Sequence, residues 1–118
     1  MPTDNTPIVG TIIPDPAKLV REILHFLPEC CDSFYVTSWK YDECLFKLVG
    51  KEEDEGAEYE LNEEKAVKGL RHLVQQIADN KLFFSGLSIE NIDDPCNWDL
   101  ESTDALVQAA LLGEVIYG

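Results

Sequence analysis

Apolar residues fall along this chain in blocks whose spacing changes from helical to alternating and back again. In DPAKLVREILHFLP, from Asp15 to Pro28, Leu19, Val20, Ile23, Leu24, Phe26 and Leu27 recur at intervals that gather on one side of a helix. Asp15 supplies the side-chain acceptor of an N-cap, and Pro16 lacks the N–H that a first helical position leaves unused. Pro28 stops the run. From Ser33 the period shortens to two. SFYVTSWK and ECLFKLV, rich in aromatic and β-branched residues and separated by the polar pair Tyr41-Asp42, predict a β-hairpin. Its buried face would hold Phe34, Val36, Cys44, Phe46 and Leu48, and its other face Tyr35, Trp39, Lys47 and Val49. AEYEL then alternates strictly, which predicts a third strand with Ala57, Tyr59 and Leu61 on one side and Glu58 and Glu60 on the other.

The helical period returns at Asn62, a second cap, followed by EEKAVKGLRHLVQQIADN. Glu63 and Glu64 occupy its first turn, where the positive end of the helix dipole favours them. Ala66, Val67, Leu70, Leu73, Val74, Ile77 and Ala78 form the predicted buried stripe. Residues 81 to 100 keep no sustained period. Leu82, Phe83 and Phe84 read as a short strand or a connection tucked on the core, and a loop runs through Asp94-Pro95. A third helix is predicted over 102–112, capped by Ser102 or Thr103, with Leu106, Val107, Ala110 and Leu111 buried and Gly113 as its stop. A chain of 118 residues, 45% hydrophobic, is one domain with enough apolar content to close one core. The expectation is an α+β fold over residues 13–118, a three-stranded antiparallel sheet packed against about three helices. Residues 1–12, which show no pattern, are read as a flexible tail.

Charge changes the picture. Acidic residues number 23 against 9 basic ones, and the net charge is −14. Such a surface repels nucleic acid and anionic membrane and favours a basic partner. Between Glu52 and Glu64 stand eight carboxylates and no base, and after Lys81 there is no Lys or Arg. One reading is an acidic face that serves solubility. The sharper reading is mimicry of a nucleic-acid backbone. Duplex DNA shows one negative charge per about 1.7 Å of axis, and Glu58 and Glu60 on one strand face stand about 6.6 Å apart by strand rise. Glu52, Glu53, Asp54 and Glu55 extend that row. Asp93, Asp94 and Asp99 stand in a second cluster with Glu90, Glu101 and Asp104. A charge of −14 exceeds the magnitude of about 2–8 that solubility asks of a small domain, and the excess weighs toward a partner-binding role.

Candidate chemistry is sparse. His25 and His72 sit beside the apolar stripes of their helices, as boundary histidines do. No phosphate-binding glycine loop, dinucleotide fingerprint or protease histidine pair occurs. A calcium loop begun at Lys51 puts Gly56 in place but Lys51 and Asn62 at the first and last ligand positions, and DDPCNWDLESTD fails too, with Cys96, Trp98 and Leu100 at alternate positions. Cys30 and Cys31 are adjacent, which is not a zinc spacing, and a site drawing on Cys30, Cys96, His25 and His72 is the weaker alternative to four structural thiols. Met1 is followed by Pro, Thr and Asp, and no apolar run approaches the roughly 20 residues of a membrane span. The expectation is a cytosolic protein with reduced cysteines, no metal, no cofactor and no catalytic activity.

The ending DALVQAALLGEVIYG resembles that of small acidic proteins of bacteriophages and other mobile elements. The resemblance rests on Asp104, Val107, Gln108, Ala110, Leu111, Gly113, Glu114, Val115, Tyr117 and Gly118, over the last 15 residues, with Leu112 where that family usually has Phe. It implies a phage or mobile-element origin and no particular site. With the charge, it leads to the expectation of an inhibitor that occupies the basic nucleic-acid-binding surface of a host nuclease, a CRISPR effector or a restriction enzyme. Two alternatives stand beside it: an immunity or antitoxin protein for a cationic toxin, and a homo-oligomeric structural module using Tyr35, Trp39 and Val115-Ile116-Tyr117.

Overall fold

The computed structural model describes residues 13–29, 33–51 and 55–115, without the side chains of residues 26, 28 and 29. The predicted tail (1–12), the adjacent cysteines 30 and 31, and the Ile116-Tyr117 end lie outside these residues. Helix α1, Pro16–Ile23, begins at Asp15, whose carboxylate accepts the Lys18 N–H at 3.1 Å. The predicted helix ran on to Leu27, whereas the chain tightens into a 3₁₀ segment, Leu24–Glu29. Pro28 explains the change: it has no N–H to give the Leu24 carbonyl, so α-helical bonding cannot run through it. Leu19, Val20, Ile23, Leu24 and Leu27 are buried as expected.

The antiparallel sheet has the order β1-β2-β3, with β1 Phe34–Lys40, β2 Leu45–Gly50 and β3 Glu58–Leu61. The hairpin between β1 and β2 turns through a 3₁₀ segment, Tyr41–Glu43, and closes on Cys44 in the left-handed region at φ 50°. The face predicted to be buried holds Phe34, Cys44, Phe46 and Leu48 in the core, with Val36 partly covered. Trp39 departs from its predicted side. The register slips between Val36 and Ser38, leaving Thr37 unpaired with its hydroxyl donating to the Lys47 carbonyl at 3.1 Å. One extra residue reverses the alternation beyond it, so Trp39 lies opposite Phe46 rather than on the side of Tyr35.

Helix α2, Glu63–Ala78, starts at Asn62, whose side chain accepts the Lys65 N–H at 2.9 Å. Its buried stripe is Ala66, Gly69, Leu70, Leu73 and Val74, while Val67 and Ile77 are half-buried and Ala78, expected inside, is exposed. Gly69 is where α2 meets α3, Leu100–Leu112: a Cβ there would stand 2.7 Å from the Ala110 backbone nitrogen. Glycine therefore sets this helix separation, against its poor helix propensity.

Helix α3 begins earlier than predicted. Asp99, not Ser102 or Thr103, is its N-cap: Asp99 accepts the Ser102 N–H, and the Ser102 hydroxyl accepts the Asp99 N–H, both at 2.9 Å. Ser102 to Ala109 are all buried, polar residues included, whereas Ala110 and Leu111 are only half covered. This helix is enclosed on more than one side, which is why its pattern carries no single stripe. Gly113 ends it at φ 83°, as expected. Between α2 and α3 the chain makes turns with an isolated bridge, Phe84 to Leu87, in place of a strand. Phe84 and Ile92 enter the core, Trp98 donates its indole N–H to the Ile92 carbonyl at 2.9 Å, and Phe83 points out at 86% exposure. The result is the expected α+β architecture, three strands and three helices around one core. Among the described residues no helix is long and apolar enough to cross a membrane.

Candidate partner-binding surface

The sheet has one face on the core and one left open, and strand alternation decides which carboxylates reach solvent. Glu58 pairs in register with Val49 and Glu60 with Lys47, so both carboxylates project from the open face, while Tyr59 and Leu61 face inward. Among the described residues neither glutamate makes an ion pair, even though Lys47 lies across from Glu60. Tyr35 is 61% exposed on this face, with the Lys51 ammonium 4.4 Å from its ring centre, a cation–π contact. Glu55 is exposed in the turn before β3. Glu52, Glu53 and Asp54 lie outside the described residues. The open face is thus mixed rather than uniformly acidic: Lys47 and Lys51 stand among its carboxylates.

The second acidic cluster divides by role. Asp94 accepts the Cys96 N–H at 2.9 Å and starts a 3₁₀ turn, Pro95–Asn97; Asp99 caps α3. Both are exposed yet already hold backbone donors; among the described residues Asp93, also exposed, holds none. A hydrogen bond accepted from Ser88, then one accepted from its own backbone N–H, holds the exposed Glu90 carboxyl below its ordinary value. Asp104 does not belong to any surface. It is buried, accepting the Ser33 N–H at 2.8 Å, the Ser33 hydroxyl at 2.6 Å and the Gln108 amide at 3.0 Å. That network ties α3 to the start of β1. Asp104, Val107 and Gln108, three of the residues that carry the resemblance of the ending, are therefore interior residues of this fold.

A groove that the sequence did not announce runs between α1, the hairpin tip and the start of α3, with a volume of about 1010 Å³. Its floor includes Ile23, Cys44, Phe46 and Trp98. Arg21 crosses one end, ion-paired with Glu63 of α2 and donating to the Asp42 carbonyl at 3.3 Å. The Glu63 hydrogen bond holds the Arg21 guanidinium above its ordinary value. At the lip Tyr41 lies 5.0 Å from His25, 6.5 Å from Trp39 and 6.2 Å from Phe46, ring centre to ring centre. Tyr41 and Leu100 line the groove while 41% and 49% exposed. The signals in the sequence were Tyr41 in an otherwise polar turn and Leu100 off the stripe of its helix.

The groove holds two thiols, Cys44 and Cys96, and a histidine, His25. Burial pushes the Cys44 thiol up, Arg21 opposes that, and Glu63 adds to it, which favours the thiol over the thiolate. Cys96 is exposed. Among the described residues no three His, Cys, Asp or Glu side chains gather as a metal ion needs. Compared with family models, curated proteins and solved structures, the chain matches none.

Proposed function

We propose that this protein works by binding rather than catalysis, as a small acidic inhibitor of phage or mobile-element origin that occupies the basic nucleic-acid-binding surface of a host defence nuclease. The observation that carries the reading is the pair Glu58 and Glu60, exposed on the open sheet face without an ion pair among the described residues, in a chain of net charge −14. Carboxylates held on a strand keep a fixed spacing, so a Lys/Arg groove built for phosphates meets them without ordering them first. The partner is a basic protein surface; nucleic acid and membrane are repelled by the same charge.

Affinity capture from the native host, with mass spectrometry of the bound protein, identifies the partner. Its cleavage of DNA or RNA is then measured with the inhibitor present. Inhibition is expected to weaken steeply between low and high salt, to be competed by nucleic acid, and to fall about a hundredfold in Glu58→Lys/Glu60→Lys. Inhibition unchanged by salt and by that double reversal excludes the electrostatic mechanism. A second reading, a self-associating module, is favoured by Tyr41 and Leu100, exposed on the lining of the groove, and by Trp39, exposed beside Tyr41. Light scattering separates it: an oligomer that persists in high salt and is lost in Trp39→Ala.

A further inference from the structure

Five large apolar side chains are exposed among the described residues; two of them, Tyr41 and Leu100, line the groove, and a third, Trp39, stands beside Tyr41, 6.5 Å from it ring centre to ring centre. Scattered exposed apolar residues are ordinary on a soluble protein, but aromatic residues collected around a depression mark contact surfaces, and Trp and Tyr dominate binding energy there. At about 1010 Å³ the groove lies at the top of the range of about 300–1,000 Å³ typical of small-molecule sites, a size that suits a short piece of chain. Its charges select the kind of chain. Arg21 and Glu63 cancel in their ion pair, and Lys18 offsets one of the three further acids at the wall, Asp15, Glu22 and Asp99. What remains is an apolar floor with a net negative rim.

We infer that this groove binds a cationic amphipathic segment of the partner, with apolar side chains laid between Tyr41 and Leu100 and Lys or Arg side chains set against Glu22. The inference rests on the reading above that the partner is a basic protein, and it adds a second contact. The open sheet face answers the partner's charge, whereas the groove takes an apolar anchor that charge alone does not recognise.

The test needs no nuclease, so its failure is distinct from failure of the inhibitor reading. Two fluorescein-labelled 14-residue probes of equal charge are titrated in fluorescence anisotropy: an amphipathic Leu/Lys helix, and a Ser/Lys peptide without apolar residues. The Leu/Lys probe is expected to bind at least about tenfold more tightly. Leu100→Ala/Trp39→Ala, both positions half exposed and so tolerant of truncation, removes that margin, and Glu22→Gln weakens the probe a few fold. Glu58→Gln/Glu60→Gln leaves the margin between the probes intact. Equal binding of the two probes, or a margin that survives Leu100→Ala/Trp39→Ala, overturns the inference. So does a dimer by light scattering that Leu100→Ala/Trp39→Ala abolishes, because the occupant is then a second copy. A rise of about tenfold in probe affinity for a chain starting at Ile13 also overturns it, by assigning the groove to the protein's own first residues.

Discussion

Two stretches of this chain look alike as sequence, Glu55 to Glu60 and Asp93 to Asp104: both are dense in carboxylates and free of Lys and Arg. In the fold they differ. In the second stretch Asp94 and Asp99 hold backbone N–H groups at the starts of two helical segments, and Asp104 is buried under hydrogen bonds from Ser33 and Gln108. In the first, the Glu58 and Glu60 carboxylates make no ion pair among the described residues and face water, although the Lys65 ammonium donates to the Glu60 backbone carbonyl at 2.7 Å. A carboxylate satisfied by the fold has its charge screened by local donors, while one on an open strand face offers its charge to a partner. A formal charge of −14 therefore overstates the charge that is free of the fold, and the difference between the stretches is what the proposed contact at Glu58 and Glu60 rests on.

The largest expected effect is at Asp104. Asp104→Ala leaves the buried Ser33 N–H and hydroxyl without the acceptor they now share and empties the space of a carboxylate. Unfolding free energy, read by urea denaturation, should fall by about 3 kcal/mol, the range for hydrogen bonds to a buried charged group plus an unsatisfied donor. Asp104→Asn, which keeps one acceptor, should lose less, and in a double-mutant cycle Ser33→Ala and Asp104→Ala should couple. An Asp104→Ala chain as stable as the original would erase the contrast between the two stretches.

Asp99→Ala comes next, at about 1 kcal/mol for a lost N-cap, with helix content by circular dichroism falling little because α3 is held by packing on α2. This residue also shows what was legible beforehand. The three helices, three strands and their order followed from spacing, because one buried face imposes a period. The cap of α3 did not, since Asp99, Ser102 and Thr103 all have capping side chains and only the reciprocal bonds between Asp99 and Ser102 decide among them. Trp39 was misplaced by a single unpaired residue, Thr37, whose hydroxyl finds the Lys47 carbonyl; no local propensity announces a bulge. Asp104 read as surface because an acid usually is, and its partner Ser33 is 71 positions away. The exposure of Glu58 and Glu60 was legible from alternation alone. The groove was not, because its walls come from α1, the hairpin tip and α3, and their meeting is a property of the tertiary fold.

The smallest effect on stability, and the most informative about function, belongs to Glu58→Gln/Glu60→Gln. Neither carboxylate accepts a bond from a backbone donor or pairs with a base among the described residues, and the two share one strand face. Their removal relieves the repulsion between them and forfeits the weak attraction of Glu60 to Lys47 across the ladder and to Lys65, whose ammonium sits on the Glu60 carbonyl. The urea midpoint should move by no more than the equivalent of about 0.5 kcal/mol, in either direction, and any gain should vanish in high salt, which screens the repulsion. Affinity for the captured partner should fall in the same variant, most at low salt. Stability and binding would then respond to opposite halves of the acid inventory: Asp99 and Asp104 to the first, Glu58 and Glu60 to the second. A loss of stability at Glu58 and Glu60 as large as that at Asp99 would mean that the sheet needs these carboxylates for itself, and the open face would no longer be the place where a partner binds.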